Sequence, residues 1–331
     1  MTSGRDLATL PKGHLHIHLE GAMRPGTLHE LATGYGMEVP ETRGFGSFAA
    51  FAAMYLAACD VLRTPEDLKR LVHEVVEDSA EAGAIWVEPS VYVPHHRERL
   101  GPDEQVLETI LEAAAEAEAR FDVGVGIMVA ADRTADPADA VEQAKLAGRY
   151  VGQGVVSFGL ANDEEAGPPE RFEHAFNVAR HAGLLSAPHA GELCGPESVR
   201  GALHVLHADR IQHGVRAVED PELLELLIDG GVCLDVCPTS NLLLGVVPSL
   251  AAHPLPDLLE AGVACSINAD DPLLFGPGLL EEYELCRTEL GLSDERLADA
   301  ARDSIACSGA SETLKQRGAA EVEDWLSATA P

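Results

Sequence analysis

The stretch "GHLHIHLEGAMRP", residues 13–25, sets three histidines at every second position and follows them with a carboxylate, Glu20. In an extended strand, residues two apart share a face, so His14, His16 and His18 are expected to point the same way. Seven further β-rich segments follow along the chain: "IWVEPSVY" (85–92), "VGVGIMVA" (123–130), "VVSFGLA" (155–161), "LLSAPHAG" (184–191), "RIQHG" (210–214), "VCLDVCP" (232–238) and "ACSINADD" (264–271). Between them lie helical patterns with start and stop signals, such as Thr64-Pro65-Glu66 with Gly83 at the far end, and Gly195-Pro196-Glu197. Eight β segments alternating with helices, with none reserved for an edge, predict a closed (β/α)8 TIM barrel rather than an open doubly wound sheet. The insertion at 26–63 contains "FGSFAAFAAMYLAACDVL" (45–62), which predicts extra helix over the C-terminal mouth. The expected organisation is one domain over residues 1–331, with a helical tail from about 279.

Composition narrows the function classes. With 23 Lys and Arg against 55 Asp and Glu, the formal charge is −32, a surface that repels phosphate backbones. Nucleic acid is therefore not an expected partner. No apolar run approaches the ~20 residues that cross a bilayer, so no membrane partner is expected either. Seven cysteines, an odd number without paired spacing, argue against a disulfide framework, and no basic and apolar leader opens the chain. These features predict a cytoplasmic protein. Cys233 and Cys237 read as buried thiols.

Other ligand-type residues stand at the ends of later segments, where a barrel of this kind assembles its active site. His189 ends the fifth, His213 the sixth, and Asp270-Asp271 the eighth. An HxH pair with a third histidine and an aspartate is an N/O set suited to zinc, with room for water. Binuclear barrel hydrolases need a bridging group, commonly a modified lysine in the fourth strand. "VVSFGLA" has none, which predicts a single Zn2+ per chain.

In order and spacing, HxHLEG, "HAGE" (189–192), "HG" (213–214), "CPTSN" (237–241) and "DDP" (270–272) resemble the adenosine deaminase family of the amidohydrolase superfamily. The resemblance spans roughly residues 10–290 and implies the barrel already read from the pattern. Carried across, it makes His16, His18, His189 and Asp270 the zinc ligands and leaves His14 a structural residue. It also makes Glu192 the proton shuttle, His213 the base beside the attacking water, and Asp271 the carboxylate that holds purine N7. Hydrolytic deamination at C6 needs an activated water and an acid facing N1, so these residue types fit that chemistry. The competing readings are that Glu192 caps the helix near Pro196 and that Asp271 only bonds its neighbour's backbone before Pro272. His73, His95, His96, His204, His207 and His253 read as solvated or structural. The PCxxC element of the zinc deaminases that act on cytosines is absent.

Several positions depart from the family pattern. Glu20 stands where an aspartate usually serves the ribose 5′-hydroxyl. In "GLANDE" (159–164), Gly159 replaces an aspartate and Asn162 replaces the glycine that meets purine N3; Gln212 replaces another glycine. "VEPSVY" (87–92) lacks an arginine often found there. Glu20 and Asn162 are thus candidate substrate-binding residues, and the small-molecule substrate has three candidates: adenosine, free adenine, or a 5′-modified adenosine such as 6-amino-6-deoxyfutalosine of the alternative menaquinone route. The last leads among them, with Arg43, Arg97 or Arg99 as the expected partner of its carboxylate. A non-catalytic nucleoside-binding protein is the remaining alternative.

Overall fold

In the computed structural model, residues 4–328 are described. Nine strands run in parallel: β1 Lys12–His18, β2 Ala84–Val91, β3 Gly124–Val125, β4 Ile127–Asp132, β5 Val155–Ala161, β6 Leu185–Ala190, β7 Arg210–His213, β8 Cys233–Val236 and β9 Cys265–Ile267. Their order is sequential from β1 to β9, with the short β3 paired only to β2. The ring closes where the His18 N–H donates to the Asp270 carbonyl and the Asp270 N–H to the His16 carbonyl, both at 3.0 Å. This is the expected (β/α)8 barrel. Among the described residues, no helix is long and apolar enough to cross a membrane.

The helices obey the local signals. Thr64 and Asp67 form a reciprocal capping box at the start of Pro65–Glu81, and Leu68, Leu71, Val72, Val75 and Val76 recur at helical spacing on its buried face. Gly83 follows it at φ 88°, a left-handed turn that glycine adopts without steric cost. In the insertion, Ser47 caps a helix at Phe48–Cys59 as expected. Toward the end of the chain, helices occupy Leu279–Thr288, Asp294–Ala306 and Glu312–Ser327. The middle one packs on β1 and β9 and so covers the closure of the barrel.

Two local expectations are corrected. The segment read as one strand over 123–130 breaks at Gly126, whose backbone lies so close to Val156 and Trp86 that a Cβ would come within 2.6 and 2.7 Å of their side chains. The second correction decides the site. His14 does not share a face with His16 and His18, because pairing with β2 shifts register between His14 and Ile17. The N–H groups of Leu15 and His16 both donate to Asn268 Oδ1, at 2.8 and 3.1 Å, which marks a bulge with one extra residue. His14 consequently turns to Ser79 of the Pro65–Glu81 helix, at 3.0 Å, while His16 and His18 turn to Asp270.

Candidate active site

His16 and His18 leave β1, His189 ends β6, and Asp270 follows β9. One ligand atom from each falls within 4.8 Å of all the others, and His16, His189 and Asp270 are buried. The Nε2 atoms of His16 and His18 both lie 3.2 Å from Asp270 Oδ1. His16 Nδ1 donates to the Asp235 carbonyl at 3.0 Å, which leaves its Nε2 as a lone pair facing the cluster, buried and without a hydrogen-bond partner. Three imidazoles and a carboxylate, with a second bond orienting at least one ring, fit a tetrahedral zinc ion. Burial by itself would raise the Asp270 carboxyl, but His16, His18 and His213 beside it hold it well below the usual range.

The cluster forms the floor of a cavity of about 230 Å³, whose walls include Glu192, His213, Asp271 and Asn162. Five non-glycine residues among those described have positive φ, and three of them stand here: Asn162 (79°), His213 (63°) and Asp270 (61°). Such backbone costs of order 1–3 kcal/mol per residue and persists where surrounding structure imposes it. At position 162 it explains the residue type, since asparagine tolerates the left-handed region best after glycine.

Glu192 Oε1 sits 3.5 Å from His213 Nε2 and has no hydrogen-bond partner. The following helix, Pro196–His204, starts after Gly195 with no side-chain cap, so Glu192 is not its cap. Burial, reinforced by Asp270 and Glu164, pushes the Glu192 carboxyl well above the usual range. Burial likewise pushes Asp271 up; His18 opposes this and Asp270 adds to it. Asp271 does not cap the helix Pro272–Phe275 that it precedes. Its Oδ1 is buried and unpartnered, and packs so closely on Gly21 that a Cβ there would come within 1.6 Å. The glycine of "HLEG" is thereby fixed.

Several contributors carried no signal that single residues could give. Glu164 accepts from the N–H groups of Gly191 (2.7 Å), Glu192 (3.0 Å) and Cys194 (2.8 Å), gripping the loop that carries Glu192. Fully buried Arg133 donates to the carbonyls of Gly167 and His189. Glu164 lies in the "GLANDE" stretch, and that position alone pointed to it. Beneath the cluster, fully buried Arg210 lies 2.7 Å from Glu88 and 3.3 Å from Asp235; Ser266 then links Asp235 to Asn268 and the bulge.

Other expectations fail. Glu20 does not line the cavity: it is fully buried, and its two oxygens accept from His96 Nε2 and from the Tyr55 hydroxyl. Burial would raise its carboxyl, but these partners draw it down to about 2. The carboxylate is taken up by this pair with His96, so His96 is structural but not solvated. His95, by contrast, lines the cavity, as do Tyr55 and Tyr92. None of the three arginines does. Arg97 pairs with Asp103, Arg99 with Asp60 and the Leu62 and His95 carbonyls, and Arg43 with the carbonyls of Thr42 and Leu273. Among the described residues, no Lys or Arg lines the cavity, and its outer wall is Phe48, Phe51, Ala52, Leu56 and Leu244.

Comparison with known proteins agrees with this geometry. The family model for adenosine deaminase matches residues 11–325. A putative adenosine/adenine deaminase of Streptomyces coelicolor is 46% identical over 97% of this chain and 98% of its own. An aminodeoxyfutalosine deaminase of Streptomyces avermitilis is 37% identical over 98% and 95%. The crystal structure of an adenine deaminase from Arthrobacter aurescens superposes with a TM-score of 0.90 at 31% identity, covering 96% of this chain and 99% of that one. The protein belongs to the adenosine deaminase family of hydrolytic deaminases, within the amidohydrolase superfamily.

Proposed function

We propose that this chain deaminates a neutral 6-aminopurine nucleoside bearing an apolar 5′ group, with one zinc held by His16, His18, His189 and Asp270. The observation that carries the reaction is the convergence of Glu192, His213 and Asp271 on the cavity that ends at the four-ligand cluster. Zinc, when bound, supplies the Lewis acidity that makes water a nucleophile near neutral pH. Attack at C6 disrupts an aromatic ring and becomes feasible as N1 takes a proton. Glu192, kept protonated by burial, is the group that can give it. Asp271, also pushed toward its acid form, can donate to N7, and His213 holds the attacking oxygen against C6. Having given its proton to N1, Glu192 can take the one shed by the water and pass it to the amine, which leaves as ammonia as the C–N bond breaks, and the C6 hydroxyl then returns a proton to Glu192. The 6-oxopurine remains.

The substrate reading rests on the outer wall. A bare adenine would leave Phe48, Phe51 and Leu56 facing water, and plain adenosine would bring its 5′-hydroxyl to a cavity that Glu20, committed to Tyr55 and His96 behind the wall, does not reach. An anionic arm finds no cation there. The 6-amino-6-deoxyfutalosine expectation therefore keeps its aryl group but loses the proposed arginine contact. Metal analysis with steady-state kinetics on adenine, adenosine, 5′-methylthioadenosine and 6-amino-6-deoxyfutalosine tests this. The expected result is one zinc per chain and the highest kcat/KM for 5′-methylthioadenosine. Equal efficiency on adenosine would overturn the 5′ preference, turnover of adenine alone would make it a base deaminase, and no ammonia from any of the four would defeat the reaction itself.

A further inference from the structure

His213 turns its Nε2 toward the cavity and its Nδ1 away from it. Behind it stands a row of buried groups that ends on the main chain. Asn241 Nδ2 lies 3.2 Å from His213 Nδ1, Asn241 Oδ1 lies 3.1 Å from His253 Nε2, and the Leu255 N–H donates to His253 Nδ1 at 3.1 Å. His213, Asn241 and His253 are all buried. Proton positions along this row follow from its end. A backbone N–H can only donate, so His253 Nδ1 carries no proton. His253 is neutral, because burial lowers its pKa to about 4, and its single proton is on Nε2. That proton goes to the amide oxygen of Asn241, which fixes the amide's orientation and turns its NH2 toward His213. Nδ1 of His213 must then accept.

We propose that Asn241 and His253 are positioning residues that lock His213 as its Nε2–H tautomer, so that it presents a donor and no lone pair to the reacting atoms. This rests on the deaminase reading of the site and revises one part of the expectation drawn from the family pattern. A histidine held this way bonds to the attacking oxygen and steadies its developing charge, but does not take its proton. Nε2 lies 3.5 Å from Glu192 Oε1 and 3.9 Å from Asp270 Oδ2. The proton shed as the C6–O bond forms must therefore leave through a carboxylate of the site. The row also accounts for "HPL" (253–255), whose histidine is far from the cavity wall in sequence and has no contact with substrate to explain it.

The imidazole 15N spectrum of the metal-free protein separates the two tautomers. The expected signature is a protonated Nε2 and a bare Nδ1 on His213, identified by its loss in His213→Gln. Asn241→Asp keeps the shape but can only accept, so His213 should move its proton to Nδ1. In the zinc-loaded enzyme kcat should then fall by roughly 10²–10⁴-fold with zinc content and KM little changed, the scale associated with a catalytic histidine held in the wrong tautomer. His253→Gln retains a donor toward Asn241 and should lose less than about 10-fold, whereas His253→Ala should lose more. A wild-type His213 protonated at Nδ1, or an Asn241→Asp enzyme with normal kcat, would overturn the proposal. The Nε2–H signature in a protein that deaminates no 6-aminopurine would instead defeat the reading of the site and support the relay.

Discussion

Replacing Arg210 by methionine removes the cation that sits between two buried carboxylates. Glu88 and Asp235 are both fully buried, 2.7 and 3.3 Å from the guanidinium, and neither can reach solvent. Breaking a buried pair by removing one partner costs about 3–5 kcal/mol. At ~2.1 cal/mol/K per residue over 331 residues, the unfolding entropy is about 0.7 kcal/mol/K, so Tm should drop by roughly 4–7 °C. The loss should also depend on pH. Burial would raise Glu88, yet Arg210 holds it below its ordinary 4.5, so its contribution is present above that value and is lost as pH falls through the lower folded one. Without Arg210 both carboxyls resist ionising, and the folded state is penalised wherever the unfolded chain ionises freely. Thermal and urea unfolding of both proteins at pH 8 and pH 4.5 is the assay, with a large difference expected at pH 8 and a reduced one at pH 4.5, where the variant's penalty has faded but Glu88 still contributes in the wild type. A loss below 1 kcal/mol, or one equal at the two pH values, would refute the reasoning.

Glu192→Gln should keep zinc while kcat falls at least ~10²-fold, since the amide has no proton for N1; metal content and ammonia release check both halves. Glu164→Ala strands two buried N–H groups at about 1–3 kcal/mol each and a half-buried third, so stability and kcat should fall together while zinc stays, measured by melting and metal analysis. Gly21→Ala drives a Cβ into Asp271 Oδ1 and should raise KM several-fold with Tm changed by a few degrees at most. Buried Lys12, lowered to about 7 by desolvation, binds fewer protons folded than unfolded between that value and 10.5. Wild-type stability relative to Lys12→Met should therefore rise across that window, as denaturant titrations at pH 7 and 10 will report.

The barrel was legible because its β segments are short, regularly spaced and bounded by helix signals, and the convergence of His16, His18, His189 and Asp270 because ligand types fall at strand ends. The orientation of His14 was not, since a bulge depends on Asn268, a residue some 250 positions away that no strand pattern reveals. Glu20 misled for a similar reason. Its place in "HLEG" suggested a ribose contact, but the partners that occupy it, Tyr55 and His96, come from the insertion and from the turn after β2. Arg97 and Arg99 are close to the mouth in sequence and are turned aside by Asp103 and Asp60, acidic neighbours abundant on a chain of net charge −32. Pairwise partners across the fold, rather than residue type, decided each of these cases.

The extra residue in β1 makes the centre a matter of counting. Two consecutive amides hang from one oxygen of Asn268, and only because of that does an interval of two residues, from His14 to His16, turn an imidazole from the outer helix to the inner floor. Deleting Ile17 would set His16 next to His18, and because neighbours in a strand face opposite sides, the barrel could stand with one imidazole fewer at the floor. Substitutions in this segment can be searched one position at a time, but lengths cannot. A lineage that drifts by a single codon here loses its chemistry without losing its fold, and a designer wanting an inert barrel on the same frame has the shortest edit available.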